Sequence, residues 1–198
     1  MDDRTGAKQE LKRSRAKMFF IQAAKSMISD EGVENVTVRK VADAAGYTYP
    51  TLYNYFEDLN ELLWETRQFM IRELVDTMRV TVCEPIHGVE DIKKMFWAYL
   101  EYYLENPHVF EFFYFHRLQE PNRKSDDSDP DFSLMWNETF GSFVQSGRLH
   151  AGDIEAVSKI CIYAMHGMLT LSFSNNGDLH EKANMYRDLN KMVDYLLK

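Results

Sequence analysis

Cysteine is nearly absent from this chain. Cys83 and Cys161 are the only two in 198 residues, far apart and outside any Cys-x-x-Cys spacing. That excludes a disulfide scaffold and fits buried thiols of a reducing compartment. Proline and glycine are also scarce, at five and nine, and no run alternates Val, Ile and Thr with polar residues, so the pattern is all-α. No stretch approaches about 18 uninterrupted apolar residues, and the polar start Met1-Asp2-Asp3-Arg4 is no secretion signal, so a soluble, cytoplasmic protein is expected. Catalytic signatures are missing too. There is no Gly-rich phosphate loop, no Gly-x-Ser-x-Gly and no paired Cys/His spacing for zinc. His87, His108, His116, His150, His166 and His180 are scattered over different segments, and only a convergence of His108, His116 and His166 would make a metal site. The expectation is a non-enzyme without a cofactor.

Positive charge is also in short supply, with 23 Lys and Arg against 31 Asp and Glu, a net of −8. The deficit is uneven. Residues 1–60 hold nine basic and nine acidic side chains, and the rest of the chain holds fourteen and twenty-two. Within residues 1–25 the balance is seven basic to three acidic, including Lys8, Lys12, Arg13, Arg15 and Lys17. Polyanion binding depends on where positive charge sits rather than on the sum, so a basic arm on an acidic body suits a DNA binder.

Residues 37–56 are the most informative segment. They read Thr-Val-Arg-Lys-Val-Ala-Asp-Ala-Ala-Gly-Tyr-Thr-Tyr-Pro-Thr-Leu-Tyr-Asn-Tyr-Phe. Val41, Ala42 and Ala45 supply a small apolar face, and Gly46 permits the left-handed backbone of a sharp turn. Thr37 and Thr48 stand where helix N-caps belong, and Pro50 falls in a first turn, where a missing N–H costs nothing. Two short helices about such a turn, the second leaving Tyr49, Tyr53, Asn54 and Tyr55 outward, make a helix-turn-helix that places its second helix in a DNA major groove.

This segment resembles the DNA-binding domain of the TetR (tetracycline repressor) family of transcriptional regulators. The matching residues are Thr37, Arg39, Val41, Ala42, Gly46, Thr48, Pro50, Thr51, Leu52, Tyr53, Tyr55, Phe56, Leu62 and Leu63, with Phe20-Ile21-Gln22-Ala23-Ala24 and Glu31-Gly32 upstream. The resemblance covers about residues 13 to 64. It implies that Arg39 reaches a base edge or phosphate, that Thr48, Tyr49, Pro50, Thr51 and Asn54 head or line the recognition helix, and that Thr37, Tyr53 and Tyr55 hold phosphates. The family usually carries Lys in the place of Leu59, so the backbone grip differs here.

The rest of the chain reads as six more helices, giving a helix-turn-helix domain over 1–57 and a six-helix ligand-binding and dimerisation domain over 58–198. The first helix is expected from about Lys12 to Asp30. Asp58 with Glu61 three residues later makes a capping-box start for the fourth, which links the two domains. Residues 119–130 read as a polar loop, and Asn175-Asn176-Gly177 as a turn before a last helix capped by Asp178. Ile160, Ala164 and Gly167 on the eighth helix, with Tyr186, Leu189, Val193 and Leu196 on the ninth, form stripes that pack either on the chain's own core or on a second copy. The resemblance implies the latter, a homodimer joined through its last two helices.

Residues 96–115 contain ten of the chain's 27 aromatics, more than one helix face can bury. Trp97, Tyr103, Phe110 and Phe113, with Met70, Trp136, Phe140 and His166 from other helices, are read as lining a pliable apolar ligand pocket. Glu101, Glu105 and Glu111 would suit a lipophilic cation there, or simply face water. Two functions follow. One is a repressor released from a palindromic operator by a small, mainly apolar ligand. The alternative is a DNA-bound regulator whose C-terminal domain recruits a protein or senses a metal, its aromatics serving only as core.

Overall fold

The computed structural model describes residues 3–82, 86, 88–120, 132–174 and 181–197. Cys83, His87, His180, residues 121–130 of the polar loop and the turn 175–177 with Asp178 lie outside them. The described residues form nine α-helices, two short 3-10 turns and no strand. In order these are α1 (Asp3–Glu31), α2 (Val38–Ala44), α3 (Tyr49–Leu52), α4 (Leu59–Val82), α5 (Val89–Glu105), α6 (Pro107–Tyr114), α7 (Phe132–Gln145), α8 (Ile154–Phe173) and α9 (Lys182–Leu196). The 3-10 turns are Val33–Asn35 and Ala151–Asp153. The helices gather into two compact units, Met1–Glu73 with Asn106–Asp129 and Leu74–Glu105 with Pro130–Lys198.

The first unit is built on Phe20. Its ring is fully buried and meets Tyr47, Tyr55 and Phe56, while Ala24 and Ile28 continue the same face of α1 toward Val41 and Ala42 of α2. Burying a phenylalanine of this kind contributes roughly 1.5–3 kcal/mol. Ion pairs Lys17–Glu65 at 2.7 Å and Lys25–Glu73 at 2.6 Å join α1 to α4. The start of α4 is a capping box: the Glu61 N–H donates to Asp58 Oδ1 at 2.8 Å, and the Glu57 N–H donates to the Glu61 carboxylate.

Two local expectations shift. α1 begins at Asp3 rather than near Lys12, because residues 7–13 (Ala-Lys-Gln-Glu-Leu-Lys-Arg) are strong helix formers and Gly6 alone costs only about 1 kcal/mol. Thr37 does cap α2, accepting from the Lys40 N–H at 3.3 Å, but Thr48 makes no side-chain cap; its hydroxyl pairs with that of Thr51 at 2.9 Å.

Membership of α6 in this unit was not anticipated. α6 packs along α1. Beyond it, Asn60 clamps the Gln119 backbone, donating through Nδ2 to its carbonyl at 2.7 Å and accepting its N–H at 2.9 Å. Where α1 ends, Gly32 holds φ +86°, and a Cβ there would stand 3.1 Å from the Glu34 carboxylate and 3.3 Å from His108 Nδ1 of α6. Gly32→Ala should therefore destabilise the protein by about 1–3 kcal/mol, read as a lower midpoint in thermal unfolding. An unchanged midpoint would mean that the turn relaxes freely.

The second unit packs α5 against α8 and α9, and α7 against α8. Ile92, Phe96, Leu100 and Tyr103 bury one face of α5; Val157, Cys161, Met165 and Leu169 bury the matching stripe of α8; Met185, Leu189 and Val193 bury that of α9. Lys93 bridges Glu90 at 2.7 Å and Asp194 at 2.8 Å, and Lys182 approaches Glu101 at 3.8 Å, so α5 and α9 run antiparallel. Burial pushes the Cys161 thiol up to about 12, which leaves it inert. The segment Ala151–Phe173 is long and apolar enough to cross a membrane by length and composition alone. Polar residues such as Lys159 and His166 interrupt its apolar ones, so it holds no uninterrupted apolar run of that length. Its composition has a structural reading: beyond the exposed Glu155–Lys159 pair, the outer face of α8 also leaves Ile160, Tyr163 and Leu171 uncovered.

Candidate nucleic-acid interface and ligand compartment

α2 and α3 present the outward residues of the reading head. The turn between them follows from Gly46 at φ +77°, which lets the Tyr47 N–H return to the Ala42 carbonyl at 2.9 Å. Val41, Ala42 and Leu52 are buried and fix the pair to α1, so neighbouring positions must face out. Thr37, Arg39, Thr48, Pro50 and Asn54 are exposed, and Tyr49 and Tyr53 are each half-exposed large aromatics without a hydrophobic reason to be so. Thr51 is partly covered. Tyr55 is divided: its ring lies 5.5 Å from Phe20 and 5.9 Å beneath the Arg13 guanidinium, so it serves core and surface together.

Arg13 also donates through Nη2 to the Asn54 carbonyl at 3.2 Å. It thereby satisfies an orphan carbonyl after the short recognition helix, where a cation is favoured by the helix dipole. α3 is brief because its continuation is tight: the Asn54 N–H bonds Thr51 and the Tyr55 N–H bonds Leu52, both i to i+3. Leu59 is partly covered and presents no cation.

The residues read as a ligand pocket fall in both units. Met70, Phe110 and Phe113 belong to the first; Trp97, Tyr103, Trp136, Phe140 and His166 to the second. Within the second, Phe96 meets Trp136 edge-on, Trp136 stacks near Phe140, and Tyr99 packs against Tyr103. Tyr99 Oη and His166 Nε2 are 2.7 Å apart, and burial pushes the imidazole below its ordinary value, so His166 is a neutral partner at neutral pH. The Trp97 indole N–H is buried without an acceptor while its ring stacks on Tyr186. A cleft of about 670 Å³ opens between α7 and α8, lined by Trp136 and Asn137 with Gly152, Glu155, Ile162 and Tyr163 among others; of the expected pocket residues, it contains Trp136. Glu101 faces Lys182, and Glu105 and Glu111 are exposed to water. Among the described residues no group of three His, Cys, Asp or Glu could hold a metal.

Of the expected dimer residues, Ile160, Gly167 and Tyr186 are exposed and Ala164 and Leu196 partly so. Leu189 and Val193 lie inside the chain's own core, at 0 and 1% exposure. Tyr163, which the sequence reading did not single out, is two-thirds exposed on the outer face of α8.

An outward-facing helix-turn-helix on an all-helical chain has the build of a DNA-binding protein. Residues 20–66 match the model for bacterial regulatory proteins of the tetR family, and the N-terminal domain is accordingly a TetR-family DNA-binding domain on a chain with the TetR-regulator fold. No curated protein matches the chain. Among solved structures, a putative TetR-family transcriptional regulator from Mesorhizobium loti is 17% identical over 93% of this chain and 96% of its own, with a TM-score of 0.63. FadR from Bacillus subtilis, solved with stearoyl-CoA, is 18% identical over 91% and 97%, at 0.62. RolR, solved with resorcinol, is 16% identical over 95% and 97%, at 0.60. Identities this low establish a common fold.

Proposed function

We infer that the protein is a homodimeric transcriptional repressor, released from a palindromic operator by a small, mainly apolar ligand. The observation that carries the DNA half is the exposed row Arg39, Tyr49, Tyr53 and Asn54 on a head whose core has no use for it. For function the chain divides near residues 57 and 58, the reading head before and the sensing and dimerising part after. Dimerisation is supported by the uncovered apolar residues Ile160, Tyr163 and Leu171 on the outer face of α8, which a second copy would cover. Ligand sensing is supported by the aromatics of the second unit, Trp97, Tyr103, Trp136, Phe140 and His166, and by the unmet Trp97 donor. It is also supported by the organic molecules carried by FadR and RolR, which have this fold. Glu101 is turned to Lys182 and Glu105 and Glu111 lie exposed, which favours an uncharged ligand over a cation.

α4 is the lever in this reading, since one helix begins at the reading head and continues into the second unit. Native mass spectrometry should give twice the 23.3 kDa chain mass, and selection from a random duplex library should return an inverted repeat. A compound retained by the protein from its host should release that duplex. Coupling is reciprocal, so the duplex should weaken that compound's binding by the same factor, about 1–3 kcal/mol. Equal affinities with and without duplex would rule out the release mechanism.

A further inference from the structure

We propose that the first turns of α1 are a second DNA-binding element, a helical row of cations that grips phosphates flanking the sequence read by α3. The inference rests on the DNA-binding reading of the head but concerns residues outside the segment that the family model matches, 20–66.

The first buried residue of α1 described is Ala16, and every residue from Lys8 to Arg15 is exposed. This part of the helix therefore has no core to complete. Lys8, Lys12 and Arg15 stand at i, i+4 and i+7, which places them on one stripe over about 10 Å at 1.5 Å per residue. None has an acidic partner among the described residues, whereas Lys17 and Lys25, further along, are each paired with a glutamate of α4. Arg13, between them in sequence but on another face, is held to the Asn54 carbonyl and over the Tyr55 ring. That contact anchors the row beside the C-terminal end of the recognition helix, within reach of the phosphates that wall a major groove about 12 Å wide. The occupant is set by charge. Clustered unpaired cations on an otherwise acidic chain of net −8 favour a polyanion, and the surface they continue is the one proposed to meet duplex DNA.

The row acts through counterion release, which makes it measurable without knowing the operator. Each phosphate engaged adds roughly 0.9 to the slope of log affinity against log salt. The full-length protein is titrated onto a 40-base-pair duplex of mixed sequence between 50 and 200 mM salt, followed by fluorescence anisotropy. A chain carrying K8Q, K12Q and R15Q should lose about two to three from the slope and bind at least tenfold more weakly at low salt. A chain carrying K182Q and K191Q, which removes cations from α9, should match the parent. Gln9→Pro keeps every charge but breaks the helix, and should lose about one slope unit as Lys8 leaves the row. A triple variant with the parental slope overturns the proposal, as does a Gln9→Pro chain with the full slope, which would make the segment a loose tail. If the parent itself binds no duplex, the DNA-binding reading fails along with this one.

Discussion

Gly167→Leu should leave the isolated chain at least as stable as before and yet prevent the proposed homodimer from forming. The two effects have separate causes. A Cβ at Gly167 meets nothing within 4 Å, so the folded chain has room for a larger side chain. Exchanging a mid-helix glycine for a good helix former adds about 1 kcal/mol. Packing within the chain does not require a glycine there, and in the proposed dimer it would let a second helix approach closely beside Ile160 and Tyr163. Leucine there would hold the two copies of α8 apart and strip cover from the apolar face around it. Sedimentation should show a monomer with an unfolding midpoint equal to or above the parent's. Operator affinity should fall by at least about a hundredfold, because one head can grip only one half-site. Tyr163→Glu should give the same monomer by a different route, placing charge on the face rather than bulk. A Gly167→Leu protein that remains dimeric would move the interface elsewhere.

The face on which this argument rests was only half legible in the sequence. Periodicity found apolar stripes on the last two helices, but it cannot say what a stripe packs against. Leu189 and Val193 stand at helical spacing with Tyr186, yet they fill the chain's own core while Tyr186 lies at its margin. In α8 the outward face carries the Glu155–Lys159 pair and Thr170 as well as Ile160, Tyr163, Gly167 and Leu171, so its polar residues mark that face as outward but do not say what covers the apolar ones.

The reading head was far more legible because its constraints are local. A cap at Thr37, a left-handed glycine at Gly46 and small residues between them specify a turn within ten residues, and the structure has that turn. What local pattern could not supply were the long-range ties. Asn60 to Gln119 and Arg13 to Asn54 span 59 and 41 positions and follow no spacing rule. The aromatic tract shows the same limit. Phe96 to Tyr103 and Phe110 to Phe113 are neighbours in sequence, but Asn106-Pro107 breaks the helix between them and they fall in different units.

Arg39→Ala should cost operator binding about 1–3 kcal/mol and relax selectivity at a single base pair. Arg39 is exposed on α2, which packs against α3, and no acidic side chain among the described residues engages its guanidinium. Its neighbour Lys40 is drawn to Glu31 at 3.3 Å, so Arg39 is the free cation of that helix. A planar fork fits guanine O6 and N7 in a way that a point charge does not, so Arg39→Lys should recover affinity without recovering selectivity. Tyr53→Phe is the contrasting case. It removes only a hydroxyl proposed to meet a phosphate, so every duplex should weaken by a similar, smaller factor and the preferred sequence should stay the same. Binding of the selected operator and of single-base variants, measured at one salt concentration, separates the two patterns. An Arg39→Ala protein with the parental ranking of variants would confine Arg39 to the backbone and leave base reading to Tyr49, Pro50 and Thr51.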